Sequence, residues 1–182
     1  MSELENNFLE FEPEDVIDIE VVEHSSPAHD HSLARRVAIQ VLYEVDSADH
    51  QVGDVLQRQA HENNLPAHLG DYLRDIVLGV IDNHLSLDAV IKSFAPEFPL
   101  SQVAIIDRNI LRIAIYEFAI KHTVVTGIAI DEAVELAKLY GADGSARFIN
   151  GVLGAIADDR KRLNKLLNTA TAKLSDDTQA HE

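Results

Sequence analysis

No cysteine occurs anywhere in the 182 residues. Disulfides, thiolate metal centres and cysteine nucleophiles are therefore excluded, and the composition suits a reducing cytoplasm. The N-terminus has neither a basic leading region nor an apolar run behind it, so no secretory signal is expected. Long apolar runs are missing too. The most apolar stretch, Ile105 to Ile120, is broken by Asp107, Arg108, Arg112 and Glu117. It reads as a buried helix of a soluble domain, with no membrane partner expected. No nucleophile–base pair or carboxylate dyad stands out. The one glycine-rich corner, GADGS at 141–145, lacks the lysine of a phosphate-binding loop. No catalysis and no cofactor are expected. His24, His29 and His31 lie close together with Asp30, but on nothing rigid, so no metal site is expected either.

Basic residues are scarce, with Lys and Arg numbering 15 against 31 Asp and Glu, for a net charge of −16. The imbalance is uneven. Residues 1–34 carry ten acids and no Lys or Arg, residues 35–159 carry eighteen acids and ten bases, and the stretch from Arg160 carries five bases and three acids. A nucleic-acid site usually shows a basic patch. A chain this acidic, if it binds RNA, should associate slowly, respond strongly to salt and show little non-specific binding.

What the chain does have is helical periodicity. Residues 1–31 form an acidic leader with scattered Phe8, Phe11, Val16 and Ile17, expected to be disordered; the alternative is a segment that docks on a basic or apolar surface, and its VIDIEVV alternation could make a short strand. Pro27 separates it from the rest. Seven helical segments follow, at about 33–47, 52–63, 68–83, 86–95, 101–122, 128–140 and 145–167. Pro66, Pro96 and Pro99 punctuate the connections, and Ser86, Ser101 and Ser145 are cap candidates. Segment 101–122 is apolar nearly all round and must be surrounded by other helices. The pattern predicts an all-α bundle of about seven helices over 32–167, with a polar tail at 168–182. Arg112 and Glu117, on the central helix, suit buried ion pairs with other helices.

The most telling stretch is Ile130 to Leu153, IDEAVELAKLYGADGSARFINGVL. Ile130, Ala133, Val134, Ala137 and Tyr140 make one apolar face. Gly141 suits a left-handed residue ending that helix. Asp143 or Ser145 can cap the next one, in which Phe148, Ile149, Val152, Leu153 and Ile156 repeat at three and four. Gly151 sits where a Cβ would hold a neighbouring helix away.

EAVELAK, the glycine corner and then SARFINGVL resemble the C-terminal signature of the NusB family of bacterial transcription antitermination factors. ARRVAIQVLY at 34–43 resembles the family's first helix, and NILRIAIYE at 109–117 its central one. The three matches come in order between about Leu33 and Ala157. The resemblance implies a fold of two packed helical halves. It implies binding of boxA-type single-stranded RNA from ribosomal RNA leader transcripts, together with NusE, a small-subunit ribosomal protein. The assembly would ride on RNA polymerase and promote processive elongation, by binding and not turnover. NusB-like domains also precede certain ribosomal RNA cytosine methyltransferases, but this chain is expected to have no room for such a domain. The alternative is a helical protein-interaction module of the same fold with little RNA affinity.

Five residues are candidates for RNA contact. Arg35 and Arg36 open the first segment and could meet phosphate, although the family usually carries a denser arginine cluster there. Arg147 stands at a helix N-terminus, whose free N–H groups favour phosphate. Phe148 offers either a stacking face for a base or a core side chain. Asn150 is either a base reader or an amide tying the corner together. The RKRLNK run from Arg160 is either a solvated helix end or a further source of phosphate contacts.

Overall fold

The computed structural model describes residues 27–48 and 50–179, with side chains placed for 31–169 of these. The acidic leader, apart from its last five residues, lies outside the described residues. The described residues form eight α-helices: α1 Pro27–Ala48, α2 Val52–Glu62, α3 Gly70–Asp82, α4 His84–Phe94, α5 Ile105–Ile115, α6 Thr126–Tyr140, α7 Ser145–Asp158 and α8 Arg160–Gln179. No strand occurs among the described residues.

The helices form where the apolar period predicts them, and the departures have local causes. α1 begins at Pro27, six residues before the expected start. Proline has its φ set for the first helical turn and needs no partner there for a missing N–H. Ser86 is not a cap: it is buried inside α4. The α3–α4 corner falls instead at Asn83, whose side-chain amide donates to the Gly79 carbonyl at 2.8 Å. The expected single segment 145–167 is cut at Asp159, whose Oδ1 accepts the Arg162 N–H at 3.0 Å and caps a new helix. That helix, α8, runs on to Gln179, through the stretch expected to be a tail. Segment 101–122 opens with a 3-10 turn at Leu100–Gln102. It closes with a π-turn at Tyr116–Ile120, in which the Lys121 N–H reaches the Tyr116 carbonyl at 2.8 Å.

α5 is the axis of the bundle. Asn109 through Ile115 are all buried, and α1, α3, α4, α6 and α7 all pack against it. Ala34, Val37, Ala38, Val41 and Leu42 supply the α1 side of the core, and Ile149, Val152, Leu153 and Ile156 the α7 side.

Two polar networks lock this axis in place. Arg112 grips Asp88 of α4 with two parallel bonds of 2.8 and 2.9 Å, and Asp46 of α1 with a third of 3.0 Å. Burial opposes its charge, but Asp88 and then Asp46 hold the guanidinium above its usual pKa. Five residues on, Glu117, on the π-turn, takes two bonds of 2.9 Å from Arg35 and one from the Tyr72 hydroxyl of α3. Arg35 donates a further bond of 3.2 Å to Glu132 of α6, which also accepts from Ser32 at 2.8 Å. Burial works against Arg35, yet Glu117 keeps it charged. Burial, and then the Glu117 charge, raise the Tyr72 hydroxyl, so it remains a donor. Both residues expected to sit in buried ion pairs, Arg112 and Glu117, do so.

A buried pair stripped of one member leaves a charge without solvent or partner. Arg35→Ala should therefore destabilise the protein by about 3–5 kcal/mol. Arg35→Met combined with Glu117→Leu should recover most of that loss. Urea unfolding followed by circular dichroism measures both, and a loss below roughly 1 kcal/mol for the single variant would contradict a buried pair.

Candidate nucleic-acid interface

The corner between α6 and α7 is built by three residues with separate tasks. Gly141 closes α6 through its N–H to the Ala137 carbonyl at 2.9 Å, but its backbone is extended, not left-handed. Its need for glycine is steric: a Cβ would lie 2.5 Å from the Ser145 Cβ and 2.6 Å from the Ala137 carbonyl oxygen. The left-handed residue is Gly144, at φ +93°. Ser145 is the first residue of α7, and its hydroxyl works backwards. It accepts the Ala142 N–H at 3.0 Å and donates to Asp107 Oδ2 at 2.9 Å. Asp107 is only 8% exposed, and its other oxygen has no partner among the described residues. Ser145 thus ties the start of α7 to the start of α5, a task the sequence offered to Asn150.

α7 then presents Arg147 and Asn150 to solvent, with Phe148 half-buried between them. The Phe148 ring meets Phe98 edge to face at 5.1 Å. Phe98 is 54% exposed and comes from the proline-bracketed link between α4 and α5. The two rings stand in a cleft of about 840 Å³, walled by Phe94, Ala95, Pro96, Val103 and the corner itself. That volume is in the range of small-ligand sites. Gly151 lines it with open space beyond its Cα. Its expected role as a point of close helix approach is not seen.

Positive charge gathers here despite the acidic chain. Arg147 lines the cleft, and Lys92 and Arg108 line a shallower one that shares Ala95, Pro96 and Phe98. Arg162 lies over the Phe94 ring at 4.6 Å and is held by the Ser93 hydroxyl at 2.9 Å. The acids beside them are Glu97, Asp143 and Asp159, all exposed, and the buried Asp107. The N-terminal end of α7 adds its own positive potential. Of the RKRLNK run, Arg160 and Arg162 are engaged on Phe118, Thr126, Ser93 and Phe94, whereas Lys161 and Lys165 are exposed.

The structure brings Arg147, Phe148 and Asn150 together and separates the α1 arginines from them. Arg35 is 3% exposed, and all three of its nitrogens are engaged by Glu117 and Glu132. Its expected phosphate contact is therefore corrected to a buried ion pair. Arg36 is half-buried. Because α1 starts at Pro27, both arginines sit more than two turns inside the helix, away from the field at its end. Sequence reasoning missed Phe98, Lys92 and Arg108; Arg162 belongs to the RKRLNK run it offered for phosphate contacts. The FAPEFP stretch carried a signal for the first: an aromatic between prolines has little chance of a core position. Of the histidine cluster, only His31 has a described side chain, and its ring stacks on Tyr72 at 4.3 Å. The remaining members lie outside the described side chains. No group of potential metal ligands and no helix long and apolar enough to cross a membrane is found among the described residues.

Comparison with known proteins places these features in context. Residues 32–158 match the model of the NusB family. A transcription antitermination protein NusB from Roseiflexus sp. (strain RS-1) is 42% identical over 139 residues, covering 74% of this chain and 98% of that protein. One from Chloroflexus aggregans is 41% identical over 124 residues, covering 67% and 83%. Among solved structures, T. maritima NusB superposes with a TM-score of 0.64 at 26% identity, covering 71% of this chain and 91% of that one. The fold is also that of a crystal structure of antitermination factors NusB and NusE in complex with dsRNA. There the TM-score is 0.64 at 24% identity, with 70% and 95% covered.

The corner's geometry is testable without RNA. Ser145→Ala removes the hydroxyl that donates to the buried Asp107 carboxylate and should cost about 1–3 kcal/mol. Gly141→Ala drives a methyl group into a backbone carbonyl and should also destabilise. Chemical denaturation checks both, and wild-type midpoints would mean that the corner is looser than described.

Proposed function

The chain belongs to the NusB family, and on that premise we propose that it is a cytoplasmic transcription antitermination factor. It binds boxA-type single-stranded RNA of ribosomal RNA leader transcripts together with NusE, and reaches the RNA polymerase elongation complex through that assembly. The work is binding, with no bond made or broken. Support for the partner comes from the similar solved complex, in which a NusB is held with NusE and dsRNA. The observation that carries the RNA reading is the Phe98–Phe148 pair in a cleft with Arg147 at the N-terminal end of α7.

The chemistry follows from the residues around it. Single-stranded RNA offers unpaired bases and a phosphate every nucleotide. Phe98 and Phe148 supply π-faces that stack on any base. Arg147 and the free N–H groups of the first turn of α7 face phosphate. Asn150, one turn further, has both a donor and an acceptor for a base edge. Arg36 remains a candidate for a phosphate further along the strand. A second reading keeps the fold as a protein-interaction module with little RNA affinity, and one observation favours it: Arg35 is inside the bundle.

Fluorescence anisotropy with a short boxA-type RNA, with and without NusE, separates the two. Arg147→Ala should weaken binding and lower the slope of log affinity against log salt by about 0.7, the share of one phosphate on a single strand. Phe148→Ala should cost about 1–3 kcal/mol of binding while the helical signal is retained. Equal affinity for wild type and both variants would reject the cleft as the RNA site. No binding at all, with NusE still bound, would leave the protein-interaction module.

A further inference from the structure

Base stacking in the aromatic cleft leaves a second group of cations without a task. Several basic side chains are paired with carboxylates: Arg35, Arg58 and Arg112, and also Lys121 and Lys138. Arg108 is not. It stands half-buried in the first turn of α5, and no carboxylate among the described residues reaches it. Its side chain makes a single long hydrogen bond among those residues, 3.4 Å from Nη1 to the Leu100 carbonyl. Its Nε is buried with no acceptor. A guanidinium carries five N–H donors in a fixed fork, so most of those of Arg108 are left for something else. An anion is what they lack.

The surroundings suit one. Arg108 lines a shallow pocket of about 450 Å³ together with the exposed Lys92 and Ser101, and no acid lines it. Glu97 lines the aromatic cleft instead. Asp88, one turn before Lys92 on α4, is gripped by Arg112. The pocket is continuous with the cleft, because Ala95, Pro96 and Phe98 line both. A strand with a base on Phe98 can therefore pass its backbone straight into it. Beyond the pocket the charge continues onto α8. Arg162 holds the hydroxyl and carbonyl of Ser93, the residue after Lys92. The exposed Lys165 follows three residues later, about 4.5 Å along the helix. Asp159, the acid at this end of α8, has one oxygen engaged by the Arg162 N–H. α8 begins at Arg160, past the stretch 32–158 that matches the family model.

We propose that Arg108 and Lys92 hold one further phosphate of the bound RNA, and Arg162 and Lys165 a second. The strand then runs from the Phe98–Phe148 stack across the end of α4 onto α8. This rests on the RNA reading of the cleft and extends it to a longer ligand. Arg108 offers the fork that meets a phosphate with two parallel bonds, and Lys92 adds a point charge beside it. Such contacts fix register and add affinity without selecting a base.

The test compares RNAs of different reach on the full chain with NusE. One is a short boxA-type RNA; the others carry extra uridines at its 5′ end or at its 3′ end. One of the two extensions should bind roughly three- to tenfold tighter than the short RNA at about 50 mM salt. Its slope of log affinity against log salt should be steeper by about 1.4, the share of two phosphates at about 0.7 each. Lys92→Gln combined with Arg108→Gln should remove about half of that added slope. Lys165→Gln should weaken the extended RNA more than Lys121→Gln does, although each removes one charge. All these variants should bind the short RNA as wild type does, which also reports that they fold. Extended RNAs that bind no tighter than the short one would overturn the proposal and leave the cleft standing. Tighter binding that the variants reduce no more than Lys121→Gln would overturn it too. Loss of the short RNA by the Lys92 and Arg108 double variant would rule out a separate subsite. No binding of any RNA by the wild type would sink the reading of the cleft, and this proposal with it.

Discussion

The carboxylate of Glu117 is the point on which the arrangement of the bundle turns. It sits on a π-turn, inside the protein, and it draws an arginine from α1 and a tyrosine from α3 to itself. The same arginine reaches α6 through Glu132. Hydrophobic packing would hold these elements together without choosing one rotation over another. A planar guanidinium with two parallel bonds to one carboxylate admits only one geometry. The Arg112 cluster does the same for α1 and α4 in the last turn of α5. With the C-terminal part of α5 fixed by these networks, Ser145 ties the α7 corner to the same helix at its start, through Asp107.

The net charge of −16 and the proposed work of the protein conflict less once the charges are located. Arg35 and Arg112 are consumed inside, where they neutralise Glu117, Asp88 and Asp46. Around Phe98 and Phe148 stand Arg147, Lys92, Arg108 and Arg162, beside the acids Glu97, Asp143 and Asp159.

Much of this was legible in the chain. The helices were visible because apolar residues recur at three and four. α5 was visible as the axis because its apolar residues leave no polar face. Arg112 and Glu117 were legible as buried ions for the same reason. Arg35 was misread because two adjacent arginines near a helix start look alike, although only one can face the core; rotation by one residue decides between them. The break at Asp159 was missed because aspartate in a helical run carries its capping signal only once the chain turns. Phe98 was missed because proline in the link was taken as punctuation, when its further effect is to hold a ring away from the core. The π-turn leaves no mark in an apolar period at all. The left-handed residue was placed at Gly141 and lies at Gly144, because two glycines in one corner give no indication of which carries the turn and which the tight contact.

α7, which carries most of the proposed site, is poorly suited to being a helix by itself. Gly151 and Gly154 stand in its interior with nothing in the chain close enough to require them, and each costs about 1 kcal/mol relative to alanine. Fourteen residues are near the limit for an isolated helix even with good formers. Its helicity is therefore conferred by α5 and α6, through Ile149, Val152, Leu153 and Ile156. During folding, this segment condenses only onto a framework already assembled. The aromatic corner consequently does not exist on a nascent or half-folded chain, and competence to bind arrives with completion of the bundle.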